Sequence, residues 1–200
     1  MVEDQIRRRG IVDINVLNAM ESVPRHLFVA EGEQHLAYFD GPLPIDHGQT
    51  ISQPYIVAFM TEVLELKPHH KVLEIGTGCG YQSAVLSMIV QKVISLEYIE
   101  DLAESAKNRL SRLGYKNVSV HKSNGLLGWK QAAPFDRIIG TAAPSSIPDT
   151  LIEQLAPEGI MVLPVGKSIF DQALFIVRKN KNKKVSIKQS LGVRFVPMVK

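Results

Sequence analysis

Three glycines and two carboxylates carry the strongest chemical signal in the chain. The stretch VLEIGTGCGY (72–81) reads as a strand that enters a glycine-rich turn and leaves it as a helical pattern, QSAVLSMIV. At Gly76, Gly78 and Gly80 the backbone can take positive φ and bring N–H groups against a ligand with no Cβ in the way. Thr77 and Tyr81 complete the turn, so the ligand sits at the start of a helix. A dinucleotide fold requires G-x-G-x-x-G, whose third glycine falls at position 81. Tyr81 stands there instead, which argues against NAD. Glu74, two residues before the first glycine at the end of the strand, would repel a pyrophosphate but favours a cation. S-adenosylmethionine carries two, an ammonium and a sulfonium. Taken alone, Glu74 is also readable as a surface acid. Glu97 ends the next strand-like run, 21 residues after Gly76, where a carboxylate can accept hydrogen bonds from both ribose hydroxyls. Tyr98 follows it and joins the candidate donor-binding set.

A second cluster lies in GPLPIDHGQTISQP (41–54), a polar loop with three prolines, two glycines and no run long enough for a helix or strand. Pro42, Pro44 and Pro54 stiffen it, which lowers the ordering cost of closing it over a ligand. Thr50, Ile51, Ser52 and Gln53 form its distal end and are candidates to contact the methyl donor. In isolation Ser52 also reads as a turn or N-cap serine, two residues before a helix.

Positioning these groups requires a sheet. The runs 71–76, 92–97, 118–123, 135–142 and 159–166 are β-rich, helical patterns separate the first three, and IPDTLIEQLA precedes the fifth. Apolar strands alternating with helices imply a parallel sheet covered on both faces. The expected fold is a doubly wound, mostly parallel α/β domain of the Rossmann-like type. Between Glu3 and Met20 the apolar positions break around Gly10 into two short helices, an N-terminal helical cap. After Gly166, QALFIVRK and VSIKQSLGVRFVP are strand-like and separated only by NKNKK, which predicts a C-terminal antiparallel hairpin. The expected organisation is a single domain: 1–55 cap and substrate loop, 56–166 donor-binding core, 167–200 hairpin.

Composition narrows the partners. Two hundred residues, 45% hydrophobic, suffice for one core. The net charge is +3 and the 23 Lys and Arg are dispersed, so nucleic acid is not indicated. The run RKNKNKK (178–184) reads as a solvated turn. Cys79 is the one cysteine, which excludes an intramolecular disulfide and a multi-cysteine zinc site and suggests a reducing compartment. The N-terminus lacks the apolar core of a signal peptide and no run approaches membrane-spanning length. The expectation is a soluble, cytoplasmic protein without a metal.

The loop and the glycine turn together resemble the protein-L-isoaspartate O-methyltransferase family over essentially the whole chain. The family typically reads D-x-P-L-P-I-G-x-G-Q-T-I-S-Q-P-Y, and Asp40 to Tyr55 read DGPLPIDHGQTISQPY. VPRHLFV, LGW at 127–129, APFDRII, TAAP at 141–144, LPVG and RFVP fall in the same order. The resemblance implies transfer of the methyl group of S-adenosylmethionine to the α-carboxylate of an L-isoaspartyl residue in a damaged protein. The ester then closes to a succinimide that reopens partly to aspartate. It also implies a monomer, with Ser52 as the active-site serine and Thr50 and Ile51 over donor and substrate. Gln172 matches a glutamine near the donor, and also reads as a surface glutamine on a β-edge. Val57 joins the candidate substrate-binding set. Arg194, Phe195 and Val196 match a C-terminal strand that helps form the peptide groove; Phe195 and Val196 also read as core.

Several positions depart from the family pattern. G-D-G after the third strand is replaced by Ser123, Asn124 and Gly125. Asn124 keeps a carbonyl acceptor for the adenine but loses the charge, a cost to donor binding on the order of 1 kcal/mol. Asp46 and His47 replace a glycine and its variable neighbour, which alters the backbone angles required or places a titratable group near the substrate. Cys79 stands where serine is common, and Gly140 where a β-branched residue is frequent. Two other readings follow from these departures: a methyltransferase with another carboxylate acceptor, or a non-catalytic donor-binding protein.

Overall fold

The computed structural model describes residues 1–198; the last two positions of the 167–200 segment lie outside it. A helical turn over Val2–Ile6 tightens through Arg7–Arg9 and stops at Gly10, which takes φ of 95°. Helix α1 (Ile14–Ser22) begins where the Asp13 carboxylate accepts from the N–H of Asn15 at 2.8 Å. The break in the cap therefore falls at Gly10, where the apolar spacing placed it.

The loop 41–54, expected to hold no strand, contains a minimal hairpin. Strand β1 (Leu43–Pro44) pairs antiparallel with β2 (Thr50–Ile51). Leu43 and Ile51 turn inward and are buried; two residue pairs are too few to leave a period in the sequence. At the tip the left-handed angle falls on His47, φ 58°, and Gly48, φ 66°, not on Asp46. Helix α2 (Pro54–Val63) follows, its proline in the first turn where no N–H is needed.

The central sheet, seven-stranded among the described residues, has the order β5-β4-β3-β6-β7-β8-β9. Its strands are β3 (Lys71–Ile75), β4 (Lys92–Glu97), β5 (Val118–Lys122), β6 (Phe135–Gly140), β7 (Leu155–Val165), β8 (Gln172–Lys179) and β9 (Val185–Val193). Strands β3 to β7 run parallel, and β8 is antiparallel to both β7 and β9. The turn at 180–184 is closed by the Asn180 side chain, which accepts from the N–H groups of Asn182 and Lys184. Helices α3 (Tyr81–Ser87) and α4 (Glu100–Arg112) lie in the crossovers, and α5 (Asp149–Gln154) precedes β7. The fifth strand starts at Leu155, four residues before the apolar run at 159–166, and α5 ends correspondingly early. Its pairing with β6 shifts between Phe135 and Arg137, opposite a stretch with Pro157 and Glu158 at φ 61°, which hid its start from the sequence pattern. At Gly140 an added Cβ would fall 2.9 Å from the Cβ of Leu163, so β6 approaches β7 too closely for a side chain there.

Strand order reverses at β3, with β4 and β5 on one side and β6 on the other. In open α/β sheets the crevice at such a reversal, outside the carboxyl ends of the strands, is where ligands bind. The cap closes one side of that crevice: Ile6, Leu17, Met20 and Phe28 pack in one core with Tyr81, Ala84 and Val85 of α3. Full burial of side chains this size contributes about 1.5–3 kcal/mol each, so the cap is fastened to the helix that follows the glycine turn.

Candidate active site

The glycine turn leaves β3 with Gly76, Gly78 and Gly80 at φ 94°, 54° and 89°. At Gly76 a Cβ would sit 2.5 Å from Oγ1 of Thr141. That threonine, at the end of β6, donates its hydroxyl to the carbonyls of Gly76 and Ile75. The N–H of Gly78 donates to Oε2 of Glu97 at 2.8 Å, while those of Tyr98 and Ile99 donate to Oε1 at 2.8 and 3.0 Å. Three backbone donors thus fix the Glu97 carboxylate at the mouth of β4, beside the turn.

Glu74 is no surface acid. It lies within β3, fully buried, with one oxygen bonded to the Ser83 hydroxyl and Oε1 without a partner among the described residues. Burial pushes its carboxyl up to about 7, against the opposing pull of hydrogen bonds from Ser83 and Ser95. It sits behind the glycine turn rather than on the cavity wall, as does Gly80, which packs against Leu110.

The cavity at the carboxyl ends of β3 and β4 is lined by Gly76, Thr77, Gly78 and Tyr81 from the turn and by Glu97 and Tyr98 after β4. Gly125 also lines it, and Thr50, Ile51 and Ser52 roof it together with Val57 and Val196. Sequence reasoning had not singled out Thr141, Ala142 or Gln82, which also line it. Thr141 and Ala142 had a usable signal, the TAAP motif at the carboxyl end of a strand adjacent to β3. Cys79 is buried in the turn, and that burial pushes its thiol pKa up, which keeps it a poor nucleophile and a slow target for oxidation.

Ser52 is held from behind. Arg25, fully buried, donates from Nη2 to the Ser52 carbonyl at 2.8 Å and from Nε to the Ala37 carbonyl at 2.7 Å. Its guanidinium lies 4.8 Å from the Tyr81 ring centroid. One side chain of the cap therefore touches both the lid and the glycine turn. Its only sequence signal is the arginine of VPRHLFV, 27 residues from Ser52, a separation that no spacing rule connects. The residue capping α2 is Gln53, without a side-chain capping bond, so Ser52 is not the N-cap.

Ser52 and Thr50 also line a second cavity, about 560 Å³, on the outer side of the lid. Several residues expected elsewhere meet there. Gln53 and Gln172, expected at the donor, face this cavity. Gln53 donates to Oδ1 of Asp40 at 2.7 Å. Gln172 is buried and clips the chain, accepting from the Phe195 N–H at 2.6 Å and donating to its carbonyl at 3.1 Å. Arg194 and Phe195 line the same cavity, but β9 ends at Val193. Residues 194–196 run on outside the strand, held by that clip and by the Ala143 N–H donating to the Val196 carbonyl at 2.9 Å. Asn124 lies on the wall of neither cavity. With Tyr98 it borders a shallow depression beside Glu97's strand, and its Oδ1 accepts from the Leu126 N–H at 3.0 Å. The acceptor expected for adenine is thus already used to cap a local turn. Among the described residues no three His, Cys, Asp or Glu side chains converge as a metal-ligand set, and no helix is long and apolar enough to cross a membrane.

The arrangement has close relatives. A sequence profile of the protein-L-isoaspartate(D-aspartate) O-methyltransferase family matches residues 1–200. Protein-L-isoaspartate O-methyltransferase 2 of Pelobacter propionicus is 52% identical, the match covering 100% of this chain and 88% of the relative. The protein-L-isoaspartate O-methyltransferase of a Picosynechococcus species is 48% identical over 99% of this chain and 88% of its own. A Plasmodium falciparum chain named for the same activity, solved in complex with S-adenosyl-L-homocysteine, superposes with a TM-score of 0.83 at 27% identity, covering 99% of this chain and 96% of that one. With the profile spanning its full length and relatives at about half identity, the chain belongs to the protein-L-isoaspartate(D-aspartate) O-methyltransferase family.

Proposed function

We propose that this chain is a protein repair enzyme that methylates the α-carboxylate of L-isoaspartyl residues, and also D-aspartyl ones, in damaged polypeptides, using S-adenosyl-L-methionine. The observation that carries the reading is that Ser52 stands on the wall between two cavities, one floored by the glycine turn and Glu97, the other open along the C-terminal segment. The inner cavity suits the donor. Gly76, Thr77, Gly78, Tyr81, Tyr98 and Gly125 surround it, Glu97 accepts from hydroxyls there, and the buried, half-satisfied carboxyl of Glu74 behind the turn favours a cation. Bound there, the donor supplies an electrophilic methyl group.

The residues have little proton chemistry to do. A carboxylate is ionised at neutral pH, so the attacking oxygen needs alignment and removal of water more than a base. The Ser52 hydroxyl donates to the substrate carboxylate and aims it at the methyl group of the donor. Thr50, Ile51 and Val57 exclude water. Arg194, Phe195 and Val196 support the polypeptide, and the extended segment they form accounts for tolerance of many sequences. We assign Gln172 and Gln53 to holding this groove, and Asn124 to shaping the rim near the adenine. The chain acts as a single methyltransferase domain and as a monomer in the cytoplasm, on polypeptides rather than nucleic acid or membranes, and without a metal. The dispersed charge and the single cysteine support this.

The test pairs two peptides that differ only in an isoaspartyl or aspartyl residue, incubated with labelled S-adenosylmethionine. Selective, base-labile labelling of the isoaspartyl peptide is expected. Donor binding with no labelling of either peptide would overturn the reading in favour of another acceptor or a non-catalytic role.

A further inference from the structure

The turn between β7 and β8 presents a group that neither the catalysis nor the core uses. Phe170 is 79% exposed, and Ile169 beside it is also exposed. Both line the outer cavity together with Ile56, Val193 and Ser52. The guanidinium of Arg194 lies 5.6 Å from the Phe170 ring centroid, and Arg194 is the one charged side chain on this wall among the described residues. An aromatic ring left in water at the rim of a groove, with a cation against it and the acceptor serine in the same groove, is a surface made to be covered.

We infer that Phe170, with Ile169 and Arg194, forms a subsite that reads the side chain next to the isoaspartyl residue: it takes an apolar or aromatic neighbour, accepts an acidic one and disfavours a cationic one. The inference rests on the reading of this groove as the polypeptide site and gives it a preference. The occupant follows from continuity, because whatever chain brings a carboxylate to Ser52 must run along this wall. The chemistry follows from the lining. A ring on Phe170 gains aromatic packing and removes water from the exposed face, whereas a lysine there meets Arg194.

The experiment measures kcat/KM for isoaspartyl peptides in which each neighbour in turn is Gly, Phe, Glu or Lys. At one neighbouring position the wild-type protein should favour Phe over Gly by about fivefold and Glu over Lys by a similar factor. In Phe170→Ala the Phe-to-Gly ratio should fall to about one, and in Arg194→Gln the Glu-to-Lys ratio should do so. Because both side chains are exposed, neither change threatens the fold. Ratios that stay unchanged in the variants, or a wild-type protein indifferent to all neighbours while methylating isoaspartyl peptides well, would overturn this inference alone. Failure to methylate any isoaspartyl peptide would overturn it together with the reading it rests on.

Discussion

On the inner side of Ser52 the wall is built on strand ends: the glycine turn, a Glu97 carboxylate fixed by the N–H groups of Gly78, Tyr98 and Ile99, and a buried acid behind. On the outer side it is made of side chains, several of them in water, on a turn and an irregular C-terminal segment. The inner design suits a ligand that never varies, since any shift of a strand end would disturb every contact at once. The outer design suits a chain whose sequence changes from one target to the next. Precision is concentrated where the partner is constant.

Four substitutions probe that contrast. Ser52→Ala, at the junction, should lower kcat by about 10²-fold while leaving donor affinity nearly unchanged, as for loss of one aimed hydrogen-bond donor. Turnover assays with calorimetry of donor binding separate the two, and equal losses would move the serine wholly to the inner side.

Glu74→Gln tests the buried acid. Its folded pKa of about 7 lies above the ordinary 4.5, so it favours the folded state fully only below that ordinary value. That contribution is lost as pH rises from about 4.5 to 7, on the order of 3 kcal/mol. The glutamine variant should therefore show a flatter decline in stability across this window, read by urea unfolding at pH 5 and pH 8, together with weaker binding of the cationic donor.

Arg25→Met removes the cation that ties the lid to the cap and leaves the carbonyls of Ala37 and Ser52 without that donor. A loss of about 2 kcal/mol in unfolding free energy is expected. Below the unfolding transition kcat should drop with little change in donor affinity. Asn124→Asp should give the smallest effect, a gain in donor affinity of about fivefold. No gain would show that capping the turn at Leu126 is all this side chain does.

Much of the inner side was legible in the sequence because its requirements are local. Three glycines close together and an acid near each of two strand ends are features of short stretches, and the structure brings Gly76, Gly78 and Glu97 to one cavity wall, with Gly80 and Glu74 behind it. What resisted was anything decided by distant packing. Glu74 looks the same on paper whether it is exposed or buried; only its position within β3 decides. Gln172 and Phe195 are 23 residues apart and clip one another, and no spacing rule pairs them. The lid's hairpin has two residue pairs, below the length at which alternation can be read. Phe170 carried no pattern, because a single exposed aromatic has meaning only beside the groove it borders.

Helix α4 meets the site at two places. Near its start, Asp101 lies 3.2 Å from the His47 ring at the tip of the lid, and two turns later Arg109 donates to the Cys79 carbonyl in the glycine turn at 3.0 Å. The helix thus acts as a ruler whose phase, as well as its length, spaces the roof from the floor. One residue inserted between those two positions would swing Asp101 about 100° around the axis while Arg109 kept its hold, unhooking the roof at its far edge.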